Sequence, residues 1–228
     1  MKITLIHGQN HMGSTYHIAR MTAEKICGEI EEFFLPKDCG EGCLGCFACV
    51  NKGREYCPHF RQIGPILDSM LSSNVIIIGS PTYVLEMTGH LKSLFDHLFT
   101  IWLSHRPEAP MFSKAAVVVS TAAGLGMSRV TKSMAKQLFY FGIPLVYRFP
   151  VRVAAMSWDE VKDKEKINDQ AEKIARKIIK KAGKAKPGLK QKFMFSVMRQ
   201  MHKNNDWTPL DKKHWTDNGW LGKVRPWK

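Results

Sequence analysis

The feature that most constrains this chain is a fivefold alternation of short apolar runs with helix-patterned segments. KITLIHG (2–8), EIEEFFLP (29–36), SNVIIIGSP (73–81), KAAVVVST (114–121) and PLVYRFPV (144–151) have the length and composition of strands. Between and after them lie STYHIARMTAEKI (14–26), a segment around 61–72, TGHLKSLFDHLF (88–99), SRVTKSMAKQLFYFG (128–142) and a long amphipathic stretch over about 158–182. In these, apolar residues recur at helical spacing. The unbroken Val/Ile of the third and fourth runs suits strands covered on both faces, as parallel sheets require. Pro144 and Pro150 bracket the fifth run and predict an edge position, because proline cannot donate to a sheet ladder. Five such units predict a doubly wound α/β sheet with ligands held at the carboxyl ends of its strands.

Charge divides the chain unevenly. Residues 1–172 carry 18 Lys/Arg and 17 Asp/Glu, whereas residues 173–228 carry 16 and 3, together with four of the six tryptophans. This predicts a body over 1–182 and a basic, Trp-rich extension over 183–228, entered through the AGKAKPG hinge (182–188). LKQKFMFSVMRQMHK (189–203) is predicted to be helical, with 193, 194, 197, 198 and 201 as its apolar stripe. Two readings of the extension follow. It packs on the body or on a neighbouring subunit with the tryptophans as anchors, or it arches over the ligand site as an aromatic, cationic lid. Nucleic acid is not expected as a partner, since no RNA-binding signature accompanies the basic residues. No apolar run reaches the ~20 residues of a bilayer span. The seven residues before the first glycine, three of them Lys, Thr and His, leave too short an apolar run for a signal-peptide core. A cytoplasmic protein with reduced thiols is expected.

Three strand-end loops carry the chemistry. GQNHMGST (8–15) joins the first run to the first helix, where glycines admit a ligand close to the backbone and hydroxyls at a helix start can hold a phosphate. PTYVLEM (81–87) offers backbone polar groups beside an aromatic ring, which suits a planar heterocycle. STAAGLG (120–126) has small residues against which a flat ring can lie.

Five of the six cysteines fall in CGEGCLGCFACVNKGREYCP (39–58). Cys43-x2-Cys46-x2-Cys49-x7-Cys57, followed by Pro58, has the compact run that wraps thiolates around an iron–sulfur cluster. A zinc knuckle is less favoured, because structural zinc sites pair two separated CxxC units. A redox switch or a metal-free thiol loop near a subunit interface remains the other reading. Cys39 and Cys27 are expected to be bystanders, with Cys27 packed inside at a helix end. The scattered histidines form no metal-binding pattern, and no Ser–His–Asp arrangement or other catalytic acid or base is readable.

Over residues 1–155 these loops resemble the flavodoxin-like, NAD(P)H-dependent FMN reductases, close to the iron–sulfur flavoproteins. Gly8, Gly13 and Thr15 match the family's first loop, although Gln9 departs from it. Gly79, Ser80, Pro81, Tyr83, Gly89, Leu91, Lys92 and Asp96 match its flavin loop, and STAAGLG its third turn with Ala123 in place of a glycine. The resemblance implies a five-stranded parallel sheet of order 2-1-3-4-5. It also implies FMN with its phosphate on Gln9, Asn10, His11, Ser14 and Thr15. The ring system would lie against Pro81, Thr82, Tyr83, Val84, Leu85 and Glu86, and against Thr121, Ala122, Ala123 and Gly124. It further implies a [4Fe–4S] cluster on Cys43, Cys46, Cys49 and Cys57 as one reading of the cysteine loop, and a homodimer or higher homo-oligomer.

The function expected is an FMN-dependent oxidoreductase that takes electrons from NAD(P)H and passes them to a small acceptor such as a quinone, a flavin or a nitro compound. The alternatives are an iron–sulfur electron carrier fed by a ferredoxin-like protein, and a non-catalytic binding module acting through its basic tail.

Overall fold

The computed structural model describes residues 1–227. Five strands, β1 (Lys2–His7), β2 (Glu29–Phe34), β3 (Val75–Gly79), β4 (Ala115–Ala122) and β5 (Leu145–Arg152), form one all-parallel sheet of order β2-β1-β3-β4-β5. Eight α-helices accompany it among the described residues: α1 (Ser14–Ile26), α2 (Ala48–Asn51), α3 (Phe60–Ser72), α4 (Gly89–His97), α5 (Met127–Tyr140), α6 (Lys164–Ile179), α7 (Leu189–Lys203) and α8 (Pro209–Asp217). None is long and apolar enough to cross a membrane. The prolines of the fifth run do mark an edge strand.

The strand pattern explains the layers. Successive side chains point to opposite faces. Ile3, Leu5, Val75, Ile77, Val117 and Val119 therefore meet α1 and α6, whereas Ile6, Ile76, Ile78, Ala116 and Val118 meet α3, α4 and α5. Every side chain of β3 is buried, as its uninterrupted apolar run requires. The register aligns His7 with Gly79 and Gly79 with Val119, so the loops after β1, β3 and β4 leave the sheet at one rim. Bonds across that rim lock the loop starts: Gly8 N–H donates to the Gly79 carbonyl (2.7 Å), Ser80 N–H to Val119 (3.0 Å) and Thr82 N–H to Thr121 (2.9 Å).

Several expectations need correction. The sixth helix begins at Lys164, not near 158, and residues 153–163 form a loop at the sheet rim. Cys27 is exposed rather than packed inside. It closes α1 in the left-handed conformation (φ 55°), a conformation that carries its side chain past the helix end. In α7 the body-facing row is Gln191, Phe195 and His202, with Met194 and Met198 beside it; Phe193, Val197 and Met201 of the expected stripe are exposed. The apolar positions of α7 occupy two faces, and the helix docks by the one that completes an aromatic cluster.

That cluster joins Phe195, Trp215 and Trp220 to Leu103 and Phe112 of the body, with Trp227 packed against it. Phe195 lies tilted against Trp215 at 4.8 Å and Trp215 edge-on to Trp220 at 5.6 Å, within the range of favourable ring pairs. The extension is therefore anchored by its aromatics. Three of its four tryptophans face inward and only Trp207 stands out in solvent. Rings turned inward in this way serve packing rather than base stacking.

Candidate functional site

The main cleft lies at the rim where the loops after β1, β3, β4 and β5 converge, with a cavity volume of about 250 Å³. Its phosphate-sized end is the start of α1. Gly13 occupies the N-cap with no side-chain cap, and the first intrahelical bond runs from His17 N–H to the Gly13 carbonyl at 3.1 Å. The N–H groups of Ser14, Thr15 and Tyr16 therefore have no acceptor in the protein, and the helix dipole adds positive potential there. Thr15 is buried and shares a 2.6 Å hydroxyl–hydroxyl hydrogen bond with Thr121 at the end of β4. If Thr121 donates, the Thr15 proton is free for an oxyanion.

Glycine sets the entrance. A Cβ on Gly8 would lie 2.8 Å from the Thr88 hydroxyl and 3.1 Å from the Gly79 carbonyl. The Thr88 hydroxyl donates to the Gly8 carbonyl (2.6 Å), and its N–H is held by the Ser80 hydroxyl (3.0 Å). Thr88 thus ties the second loop to the first. Gly126 has φ +100°, and a Cβ there would meet Thr82 at 2.7 Å, so the third loop turns tightly against the second.

The second loop is a two-residue turn. Tyr83 and Glu86 exchange backbone bonds of 2.9 and 3.0 Å, and Val84 and Leu85 between them both have positive φ (50° and 63°). Such turns favour Asn-Gly, and a β-branched residue at positive φ is strained. The Tyr83 and Glu86 N–H groups are used within the turn and that of Thr82 on the Thr121 carbonyl, leaving those of Val84 and Leu85 open. The Tyr83 hydroxyl accepts from the Gln9 side chain at 2.5 Å, joining the two loops at the cleft mouth.

Of the residues singled out by resemblance, Gln9, His11, Ser14, Thr15, Pro81, Thr82, Tyr83, Thr121, Ala122 and Ala123 line the cleft. Asn10, Leu85 and Gly124 are exposed and outside its lining, and the Val84 side chain lies almost wholly in solvent. Glu86 turns away to an ion pair with Arg129 at 2.9 Å and borders a neighbouring groove. Val153, Ala155 and Met156, after β5, complete the cleft and carry no motif. They follow from the late start of α6. His7, at the end of β1, also lines the cleft. It is buried, its Nε2 lies 2.7 Å from Glu32, and its pKa falls below the ordinary histidine value because burial outweighs the Glu32 hydrogen bond. Among the described residues of the C-terminal extension none lines the cleft, which favours the packing reading over the lid.

An elongated, phosphorylated planar ligand fits this donor set. One end offers open helix N–H groups and hydroxyls, and the other offers Pro81, Tyr83 and the small residues Ala122 and Ala123.

The cysteine loop drapes over α4. The Ser93 hydroxyl and His97 Nε2–H both donate to the Glu41 carbonyl (3.0 Å each), and the Cys57 thiol lies 3.9 Å from His97 Nδ1. Cys43, Cys46, Cys49 and Cys57 all line one small cavity of about 40 Å³, separate from the cleft. No group of three His, Cys, Asp or Glu side chains among the described residues is gathered tightly enough for a single metal ion. Thiols spread around a cavity suit a polynuclear cluster better than one zinc ion. His59 Nδ1 in the same wall is buried without a hydrogen-bond partner. Burial raises the Cys49 pKa, and Cys39, in the core and outside the cavity wall, is pushed up to about 11.

The comparisons agree with this geometry. A family model described as NADPH-dependent FMN reductase matches residues 1–155. An iron–sulfur flavoprotein of Archaeoglobus fulgidus is 27% identical over 200 residues, covering 80% of this chain and 96% of that protein. A second, the iron–sulfur flavoprotein MJ0731 of Methanocaldococcus jannaschii, is 26% identical over 99 residues, with 42% and 50% covered. Among solved structures, an FMN-dependent NADH-azoreductase from Bacillus anthracis in complex with FMN superposes with a TM-score of 0.58 at 15% identity. That superposition covers 78% of this chain and 99% of the other, and shows a shared fold.

Proposed function

The chain belongs to the NADPH-dependent FMN reductase family, and from that premise we propose that its rim cleft seats FMN between NAD(P)H and a small electron acceptor such as a quinone, a flavin or a nitro compound. It is a flavin-dependent oxidoreductase. Bound FMN supplies the hydride-accepting chemistry. The protein's own residues bind, orient and shield. The α1 N–H groups with Ser14 and Thr15 would hold the phosphate, and Pro81, Thr82 and Tyr83 with Thr121, Ala122 and Ala123 would orient the ring system. Tyr83, locked by Gln9, covers the mouth. The observation that carries this reading is the convergence, in one cleft, of the open α1 N–H groups and threonine hydroxyls with a wall made by Pro81, Tyr83, Ala122 and Ala123. Purified protein should carry a yellow flavin band that bleaches anaerobically on adding NADPH. Colourless protein that takes up no added FMN would refute the reading.

The exposed apolar side chains around the mouth, Met12, Val84, Leu85, Leu125 and Met156, support a homodimer that covers them.

A second reading is favoured by the four thiols around one cavity. Here Cys43, Cys46, Cys49 and Cys57 hold a [4Fe–4S] cluster, and a ferredoxin-like donor replaces direct nicotinamide oxidation. Iron and acid-labile sulfide in anaerobically prepared protein separate the two readings, and strongly substoichiometric iron removes the second.

A further inference from the structure

The segment 104–108, between α4 and β4, is gripped from two sides. On one side is the C-terminal extension. His202 Nε2–H donates to the Ser104 carbonyl (3.1 Å), the Trp215 indole N–H to His105 (2.6 Å), and His214 Nε2–H to Pro107 (2.9 Å). Asp211, 1% exposed, receives Arg106 Nη1 and His105 Nδ1 on its two oxygens, each at 2.8 Å. On the other side is the cysteine loop. Arg106 reaches on to the carbonyls of Cys49 (2.5 Å) and Val50 (3.3 Å), and Glu108 pairs with Arg54 between Cys49 and Cys57.

We propose that the C-terminal extension is the positioning element of the thiol loop, acting through Asp211 and Arg106 on the backbone at Cys49. A guanidinium fixed by a buried carboxylate presents its remaining donors in one plane, and here those donors hold two successive carbonyls of α2. The N-cap of that helix, Phe47, sits at φ +55° with no side-chain cap, and the helix is only four residues long. It is too short to persist by its own bonds. External fixation therefore decides where Cys49 points, whereas Cys43 and Cys46 lie exposed in the loop ahead of it. This gives the extension, which lies beyond the family match at 1–155, a purpose separate from the flavin cleft. The proposal deepens the iron–sulfur reading and takes its functional meaning from it.

The test measures alkylation of each cysteine by iodoacetamide, resolved by peptide mass, in metal-free protein loaded with FMN. Asp211→Asn should speed modification of Cys49 about 10- to 100-fold, the weight of one lost charged, buried hydrogen bond. Cys43 and Cys46 should keep their rates, and FMN uptake should not change. Arg106→Lys, which retains the charge but not the fork, should give an intermediate Cys49 rate; it carries the test if Asp211→Asn does not fold. After anaerobic reconstitution, Asp211→Asn should also hold less iron and sulfide than the parent. An unchanged Cys49 rate, or an acceleration spread evenly over all loop cysteines, overturns the proposal. A selective Cys49 effect in a protein that binds no iron even as wild type sinks the cluster reading and leaves the clasp standing.

Discussion

Replacing Thr15 and Thr121 by valine, singly and together, measures how the cleft is built. The two hydroxyls lie 2.6 Å apart and both residues are buried, so each is the other's partner. Valine keeps the shape and removes the hydroxyl. Each single change deletes one hydrogen bond worth about 1 kcal/mol and strands a buried hydroxyl, so each should cost roughly 1–2 kcal/mol. The double variant leaves no orphan. It should cost about as much as one single, giving a coupling energy of about 1–2 kcal/mol. Urea unfolding of the FMN-free proteins reads these values. Quenching of flavin fluorescence on titration gives the second axis. Thr15→Val removes a hydroxyl from the phosphate end and should weaken FMN about tenfold, or about 1.4 kcal/mol. Thr121→Val should weaken it less. Strictly additive stability losses would show that the pair does not act as a unit. Equal FMN affinity in all four proteins would show that the phosphate does not reach Thr15.

The other expectations rest on separate observations. Val84→Asn with Leu85→Gly relieves two positive-φ side chains and should raise stability by about 1–3 kcal/mol, read by thermal unfolding; unchanged or lowered stability would show that the turn is not strained. Val84→Asp should shift a homodimer toward monomer in sedimentation velocity, because the side chain stands free beside the cleft mouth. His7, His202 and His214 all have pKa values lowered in the fold, chiefly by burial. The unfolded chain then binds more protons, so stability is full above the ordinary histidine value of about 6.5 and falls as pH drops below it. His202→Gln should flatten that acid limb in urea unfolding at a series of pH values, and an unaltered slope would count against the assignment.

Much of this molecule is legible one residue at a time. Strand alternation sorts Ile76 from Ile77 onto opposite faces, prolines mark β5 as an edge, and glycine and hydroxyl residues at strand ends mark three of the four loops at the rim. These are local consequences of backbone geometry, which is why the site's first, second and third loops could be named in advance. What local pattern does not contain is a partner distant in the chain. Thr88 clasps Gly8 across 80 residues, Met156 reaches the cleft only because α6 starts late, and Tyr83 finds Gln9 across 74 residues. The extension shows the limit most clearly. Its helical spacing was readable, yet two faces of α7 carry apolar residues, and only docking against Phe112 and Leu103 chose between them. Asp211 carried no motif at all, and its meaning arises from Arg106, 105 residues earlier. Periodicity determines which way a side chain points from its own element; only packing decides what stands opposite it.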